Sequence, residues 1–170
     1  MGRSMATPPI LTLPSRRLVA LALLWAPAAA SAAPCPLTTV LFVCPAGAVK
    51  SAIARETLKA RVAQAGLAVR VQSRGLHLED HVSPGLAENL RADGINPAAE
   101  PAQELQTSDV RQADIIIAFD EAAQAPAFAN ARTWDIPSWN SDYAGAKAAL
   151  AKHMDGLVAE LRSRQGRSCP

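Results

Sequence analysis

An α/β fold, a parallel sheet covered by helices on both faces, is what this sequence predicts, and two patterns carry it. Thr38–Val43 is free of charge and Ile115–Ile117 is a run of three isoleucines, as expected of strands buried on both faces. Such runs alternate along the chain with amphipathic stretches of helical length, the order that builds crossover-connected parallel strands. Those crossovers are right-handed almost without exception, which leaves few topologies.

The chain opens on a segment outside that fold. Arg3, Arg16 and Arg17 give a positive start, Leu18–Trp25 an apolar core and Ala30-Ser31-Ala32 a small-residue cleavage pattern, together a secretory signal over residues 1–32. The apolar run is too short to span a bilayer, so no stable membrane insertion is expected after its removal. Arg16-Arg17 matches a twin-arginine export signal only loosely. Residues 33–170 then form one ordinary domain, secreted or periplasmic.

Within it, Thr38–Val43 is the first strand. Lys50–Ala65 is a helix, with Ile53, Thr57, Ala60 and Val62 turned to the sheet, Arg55, Glu56, Lys59 and Arg61 outside, and Gly66 as its stop. Leu67–Gln72 is the second strand, and Ser73-Arg74-Gly75 turns out of it. Ser83-Pro84 starts a helix with proline at its favoured first position, ending at Gly94. Residues 97–101 form a Pro/Ala connection, and Ser108-Asp109 precedes a short turn. Ala113–Phe119 is the third strand and Ala131–Ile136 a shorter fourth. Asp142 to about Arg164 is a closing helix, with Leu150, Met154, Leu157 and Leu161 on one stripe.

The chemistry concentrates where the first strand ends. Cys44 is followed by Pro45, Ala46, Gly47, Ala48, Val49, Lys50 and Ser51, a loop that opens a helix. Amides in a helix's first turn have no intrahelical acceptor, and with the helix dipole they favour an anion held over them. The same setting favours the thiolate form of a cysteine. Lys50 adds a cation that can fold over the loop's contents, and Ser51 a hydroxyl able to donate to the sulfur. Residues 46–51 are therefore the candidate anion cradle around the nucleophile Cys44. In parallel sheets ligands bind beyond the carboxyl ends of the strands, an edge that also receives Phe119-Asp120 and the segment 134–142. Of its two tryptophans, Trp139 is expected to be exposed near the mouth.

Charge and composition exclude other classes. Three of the 17 basic side chains lie in the signal, leaving 14 against 15 acidic ones, with no basic cluster or aromatic platform for nucleic acid. Nothing calls for a cofactor. His77, Glu79, Asp80 and His81 read as solvent-facing rather than as a metal site. Export places Cys35, Cys44 and Cys169 in an oxidising compartment. Cys35 precedes the first strand on the edge opposite the site, and a helix returning from the rim delivers Cys169 to that edge. A Cys35–Cys169 disulfide, contributing about 2–4 kcal/mol, is the pairing expected, with Cys44 left free.

Val40–Cys44, the cation six residues on with Ser51 after it, Ser73-Arg74-Gly75, Leu90–Ile95 and Ala113–Asp120 occur in an order that resembles the low-molecular-weight protein-tyrosine phosphatases and the related arsenate reductases. The resemblance covers about residues 38–162. It implies a doubly wound, three-layer, four-stranded parallel sheet. It also implies that Cys44 attacks phosphorus to form a thiophosphate, that Ser51 steadies the thiolate, and that an aspartate on a late loop protonates the leaving group. The chain departs from that pattern at five places, one of them Arg55, which stands where the family usually has glutamate, with Glu56 one place along. Lys50 stands for an arginine, a point charge in place of a planar fork. Pro45 removes an amide next to the nucleophile, and Gly47 stands for an asparagine while keeping a residue that readily turns left-handed. Ser138-Trp139 occupies the Asp-Pro position, leaving Asp135 and Asp142 as the candidate acids nearby. The function so implied is a weak phosphomonoesterase acting on substrates such as phosphotyrosine. The alternatives are a non-catalytic oxyanion or phosphoprotein-binding module and an arsenate reductase-like enzyme using an external thiol.

Overall fold

The computed structural model of this chain describes residues 36–78 and 82–168. The signal at 1–32, the Cys35–Cys169 pairing and the reading of Glu79, Asp80 and His81 lie outside those residues. The elements in order are β1 (Thr38–Cys44), α1 (Lys50–Gln64), β2 (Val69–Gly75), α2 (Pro84–Ala92), α3 (Thr107–Gln112), β3 (Ile115–Ala118), β4 (Arg132–Thr133) and α4 (Tyr143–Ser168). Short 3-10 turns cover Pro97–Ala99, Asp120–Gln124 and Pro126–Phe128.

The four strands form one parallel sheet in the order β2-β1-β3-β4. The chain steps from β1 outward to β2, then returns across β1 to β3, so the order reverses between β1 and β3. That reversal opens a crevice at the carboxyl ends of these two strands.

Both faces of β1 are dry. Val40, Phe42 and Cys44 pack with Ile115 and Ile117 of β3 against residues of α1, α2 and α4, while Leu41 and Val43 face Ala122, Phe128 and the α3 side. This period-two split of a continuous apolar run is what a central strand requires. Leu150, Met154, Leu157 and Leu161 are all buried, so the stripe read on the last helix is the one that packs. Phe42, Phe119 and Trp134 meet ring against ring, and His153 stacks on Trp134 at 4.7 Å.

Several helix ends follow their sequence signals. Ser83 Oγ accepts from the Leu86 amide ahead of Pro84, and Gly66 and Gly94 sit at φ +65° and +71° just past α1 and α2, the left-handed stop that glycine adopts without penalty.

Other expectations are corrected. Arg55, read as outward-facing, is 1% exposed, while Ala60, read as inward-facing, is exposed. Leu58 takes the inward position instead. Arg55 stays inside because every arm of its guanidinium is engaged: Nε donates to Glu56, Nη1 to Ser73 Oγ and Nη2 to the Pro97 carbonyl. Ser73-Arg74-Gly75 does not leave the second strand but completes it. Ser73 is buried there, and Arg74 forms a two-pronged pair with Asp109 at 2.9 Å. The short turn after Ser108 is a helix, α3, whose third residue Asp109 closes back on the Gln106 amide at 2.9 Å.

Candidate functional site

Cys44 is the last residue of β1, 3% exposed, and its surroundings come from three places. The Gly47 amide donates to Sγ at 3.2 Å, and Ser51 Oγ lies 3.0 Å from the same atom. The loop can curl this tightly because Gly47 is left-handed, at φ +74°, and packs back to back with Gly75. A Cβ on Gly75 would lie 2.5 Å from the His77 carbonyl oxygen and 2.8 Å from the Gly47 nitrogen. The segment after β2 holds the loop from behind, as Leu76 and His77 amides donate to the Cys44 and Pro45 carbonyls at 3.3 and 3.0 Å.

The first turn of α1 has no side-chain cap. Its N-cap is Val49, which offers no side-chain acceptor, and no acidic residue stands in that turn. The helix dipole at such an end favours a negative group. The sequence reading of the loop as an anion-binding helix opening rests on these features.

Lys50 reaches across the crevice. Its Nζ donates to Asp120 Oδ1 at 2.6 Å and to the Ile136 carbonyl at 2.8 Å, which ties the loop of β1 to the ends of β3 and β4. One ammonium hydrogen remains for an anion, since lysine carries three donors. Asp120 itself stands at φ +53°, the one non-glycine residue with positive φ among the described residues.

Cys44, Pro45, Lys50, Asp120, Ser138 and Trp139, with Ala46, Val49 and Asn140, line a cavity of about 210 Å³. The structure thus gathers Cys44, Ala46, Val49 and Lys50 around one cavity, with Gly47 and Ser51 on the sulfur itself. Ala48 faces the other side of the loop, where an apolar cavity of about 470 Å³ also touches Leu78 and Pro97. Asp135 is exposed and does not line the Cys44 cavity. Asp142 is engaged elsewhere, its Oδ1 accepting from the Gly145 amide at 2.8 Å at the start of α4. The carboxylate that does enter is Asp120. The signal for it was present, an aspartate directly following the third strand, on the edge where ligands of parallel sheets bind. Trp139, expected to be exposed, is 3% exposed and packs edge-on against Tyr143 at 5.5 Å. Its ring closes the core, and the cavity wall is the part left over.

The late segment is fastened to α2. Ser83 Oγ donates to Asn140 Oδ1 at 2.7 Å, and the Tyr143 hydroxyl donates to Asp93 Oδ2 at 2.5 Å. Burial together with that aspartate pushes the Tyr143 phenol up to about 12.

The fold and the site thus set a cysteine at the end of a central parallel strand of a doubly wound α/β domain, beside an amide, a hydroxyl and an uncapped helix start, with a lysine across the crevice. The family model for low molecular weight phosphotyrosine protein phosphatase matches residues 39–155, and the chain belongs to that family. Solved structures share the fold at low sequence identity. SP-PTP, a low molecular weight protein tyrosine phosphatase from Streptococcus pyogenes, is 18% identical over 73% of this chain and 93% of its own, with a TM-score of 0.59. The YwlE arginine phosphatase from Geobacillus stearothermophilus is 22% identical over 76% of this chain and 96% of its own, at 0.62. A thioredoxin-dependent arsenate reductase from Corynebacterium glutamicum is 22% identical over 76% of this chain and 64% of its own, at 0.60. No curated protein matches the chain in sequence at a significant level.

Proposed function

We propose that residues 33–170 form an exported phosphatase-like domain that hydrolyses phosphomonoesters through a cysteinyl-phosphate, with an impaired catalytic set. The observation that carries this reading is the pair of polar groups on Cys44 Sγ, the Gly47 amide and the Ser51 hydroxyl, next to the uncapped first turn of α1.

The steps follow from those residues. The loop amides and the remaining Lys50 donor hold the phosphoryl oxygens, and the Cys44 sulfur attacks phosphorus as the ester oxygen departs. Ser51 and the Gly47 amide then stabilise the sulfur when water displaces it and releases phosphate. The impairment has three sources. Pro45 supplies no amide beside the nucleophile. Lys50 holds equatorial oxygens less well than a guanidinium fork. Ser138, at the cavity wall, cannot act as an acid of suitable pKa. Export rests on the basic, apolar and small-residue order of residues 1–32. N-terminal sequencing of the purified secreted protein is expected to begin near residue 33.

A second reading, an oxyanion or phosphoprotein-binding module without turnover, is favoured by the ion pair that ties Lys50 to Asp120. Para-nitrophenyl phosphate hydrolysis and phosphate calorimetry separate the two. Slow turnover abolished by Cys44→Ala supports the enzyme. Phosphate binding with no turnover supports the module.

A further inference from the structure

We infer that the site is built for phosphorylated substrates whose leaving group departs as a stable anion, acyl phosphates foremost, and not for alkyl esters or unactivated phenyl esters; this rests on the phosphatase reading above. Cleaving a phosphoester whose leaving oxygen is strongly basic requires a proton delivered to that oxygen. Among the described residues, the titratable side chains lining the Cys44 cavity are Cys44, Lys50 and Asp120. Cys44 is the nucleophile. Lys50 is committed to Asp120, to the Ile136 carbonyl and to the phosphoryl oxygens, and Asp120 accepts a hydrogen bond from that ammonium at 2.6 Å, so neither is placed to hand a proton to the leaving oxygen.

Nor can either carboxyl of the late segment, Asp135 or Asp142, swing in at little cost. Asp142 caps α4, and the chain before it is held by the Ser83–Asn140 bond, the buried Trp139 ring and the Ile136 carbonyl's contact with Lys50. Moving Asp135 or Asp142 to the sulfur breaks several of these at once.

An acyl phosphate removes the difficulty because a carboxylate leaves without protonation. The Cys44 thiolate bonds to phosphorus, the bond from phosphorus to the acyl oxygen breaks with its electron pair, and the carboxylate departs. Water then attacks the phosphorus of the cysteinyl phosphate, the sulfur leaves as thiolate, and inorganic phosphate and a proton pass to solvent. No oxidant, reductant or acid enters either step. The cavity, at about 210 Å³, has room for the phosphoryl group and a short acyl chain.

The test measures kcat/KM for acetyl phosphate and for a series of aryl phosphates from para-nitrophenyl to phenyl and free phosphotyrosine, with buffer hydrolysis subtracted. Acetyl phosphate is expected to be the best substrate, and the aryl series to fall roughly tenfold for each unit of leaving-group pKa, the steep Brønsted dependence of a site without an acid. A dependence that is flat across the series overturns the inference while leaving the phosphatase reading standing. A Ser138→Asp variant, which puts a carboxyl on the cavity wall, should raise kcat/KM for phenyl phosphate by about tenfold or more relative to that for acetyl phosphate. Equal gains on both substrates, or no gain on phenyl phosphate, count against it. Absence of Cys44-dependent turnover on every substrate, with the fold intact by circular dichroism, defeats the phosphatase reading and this inference with it.

Discussion

Lys50 and Asp120 set the charge of the site between them. The ammonium is 17% exposed and the carboxylate 38%, so their attraction is partly screened and of the order of 1 kcal/mol. An incoming anion shares Lys50 with a resident competitor. Asp120→Asn keeps a residue that tolerates the φ of +53° and removes only the charge. Phosphate affinity measured by titration calorimetry is then expected to rise about fivefold, the equivalent of that 1 kcal/mol. An unchanged affinity would place the anion away from Lys50. Lys50→Arg probes the same position from the other side. A planar fork can keep one contact with Asp120 while offering two hydrogens to the phosphoryl oxygens, so Cys44-dependent turnover of para-nitrophenyl phosphate should rise about tenfold. Cys44, Lys50 and Ser51 were legible in the sequence because strand, loop and helix opening are contiguous there. The partnership of Lys50 with Asp120 was not, since 70 residues separate them and only the strand order brings them together.

At the scale of elements, α1 and β2 show where periodicity misleads. Arginine at position 55 reads as a solvated charge, yet Ser51, Arg55, Leu58 and Val62 share one buried helical face. The side chain is tolerated because it bridges three elements, to Ser73 on β2, to the Pro97 carbonyl and to Glu56 on α1 itself. Ser73 in turn looked like part of a turn, because Ser-Arg-Gly is a polar run ending in glycine. It is strand because Ser73 points inward to Arg55, Arg74 pairs with Asp109, and Gly75 is needed against Gly47. Each residue is explained by a partner distant in sequence, which local pattern does not display. Removing the guanidinium leaves buried acceptors unpaired and a void under the site. Arg55→Ala is expected to cost about 3–5 kcal/mol, read as a drop in the urea midpoint with an unchanged slope. A cost below about 1 kcal/mol would mean the bridge is dispensable.

At the scale of the whole molecule, the sheet order was within reach of the sequence, since uncharged strands, right-handed crossovers and a loop at the end of β1 leave few arrangements. What the sequence could not give is the set of ion pairs that fasten helices to the sheet and to each other, and these set the response to pH. Asp109 is pushed up by its partial burial but held below the usual carboxylate range on balance by Arg74 and the Gln106 amide. Arg132 and Arg164 hold Glu160 at about 2, and Lys147 and Tyr143 hold Asp93 low. Each carboxylate binds its proton less readily folded than unfolded. Its contribution is therefore complete above the unfolded value, near 4, and is lost as pH falls through the folded one. Tyr143 acts at the other end, its phenol raised to about 12 from 10.0. The neutral form is favoured on folding, so that contribution holds below pH 10 and disappears as pH climbs through 12. Urea midpoints are expected to form a plateau between about pH 5 and pH 9 and to decline on both sides. Tyr143→Phe should flatten the upper limb and, by taking one of its donors from Asp93, part of the lower one, whereas Glu160→Gln should flatten part of the lower limb alone. A plateau that ends near pH 7 would overturn this assignment of the limbs to the carboxylates and the Tyr143 phenol.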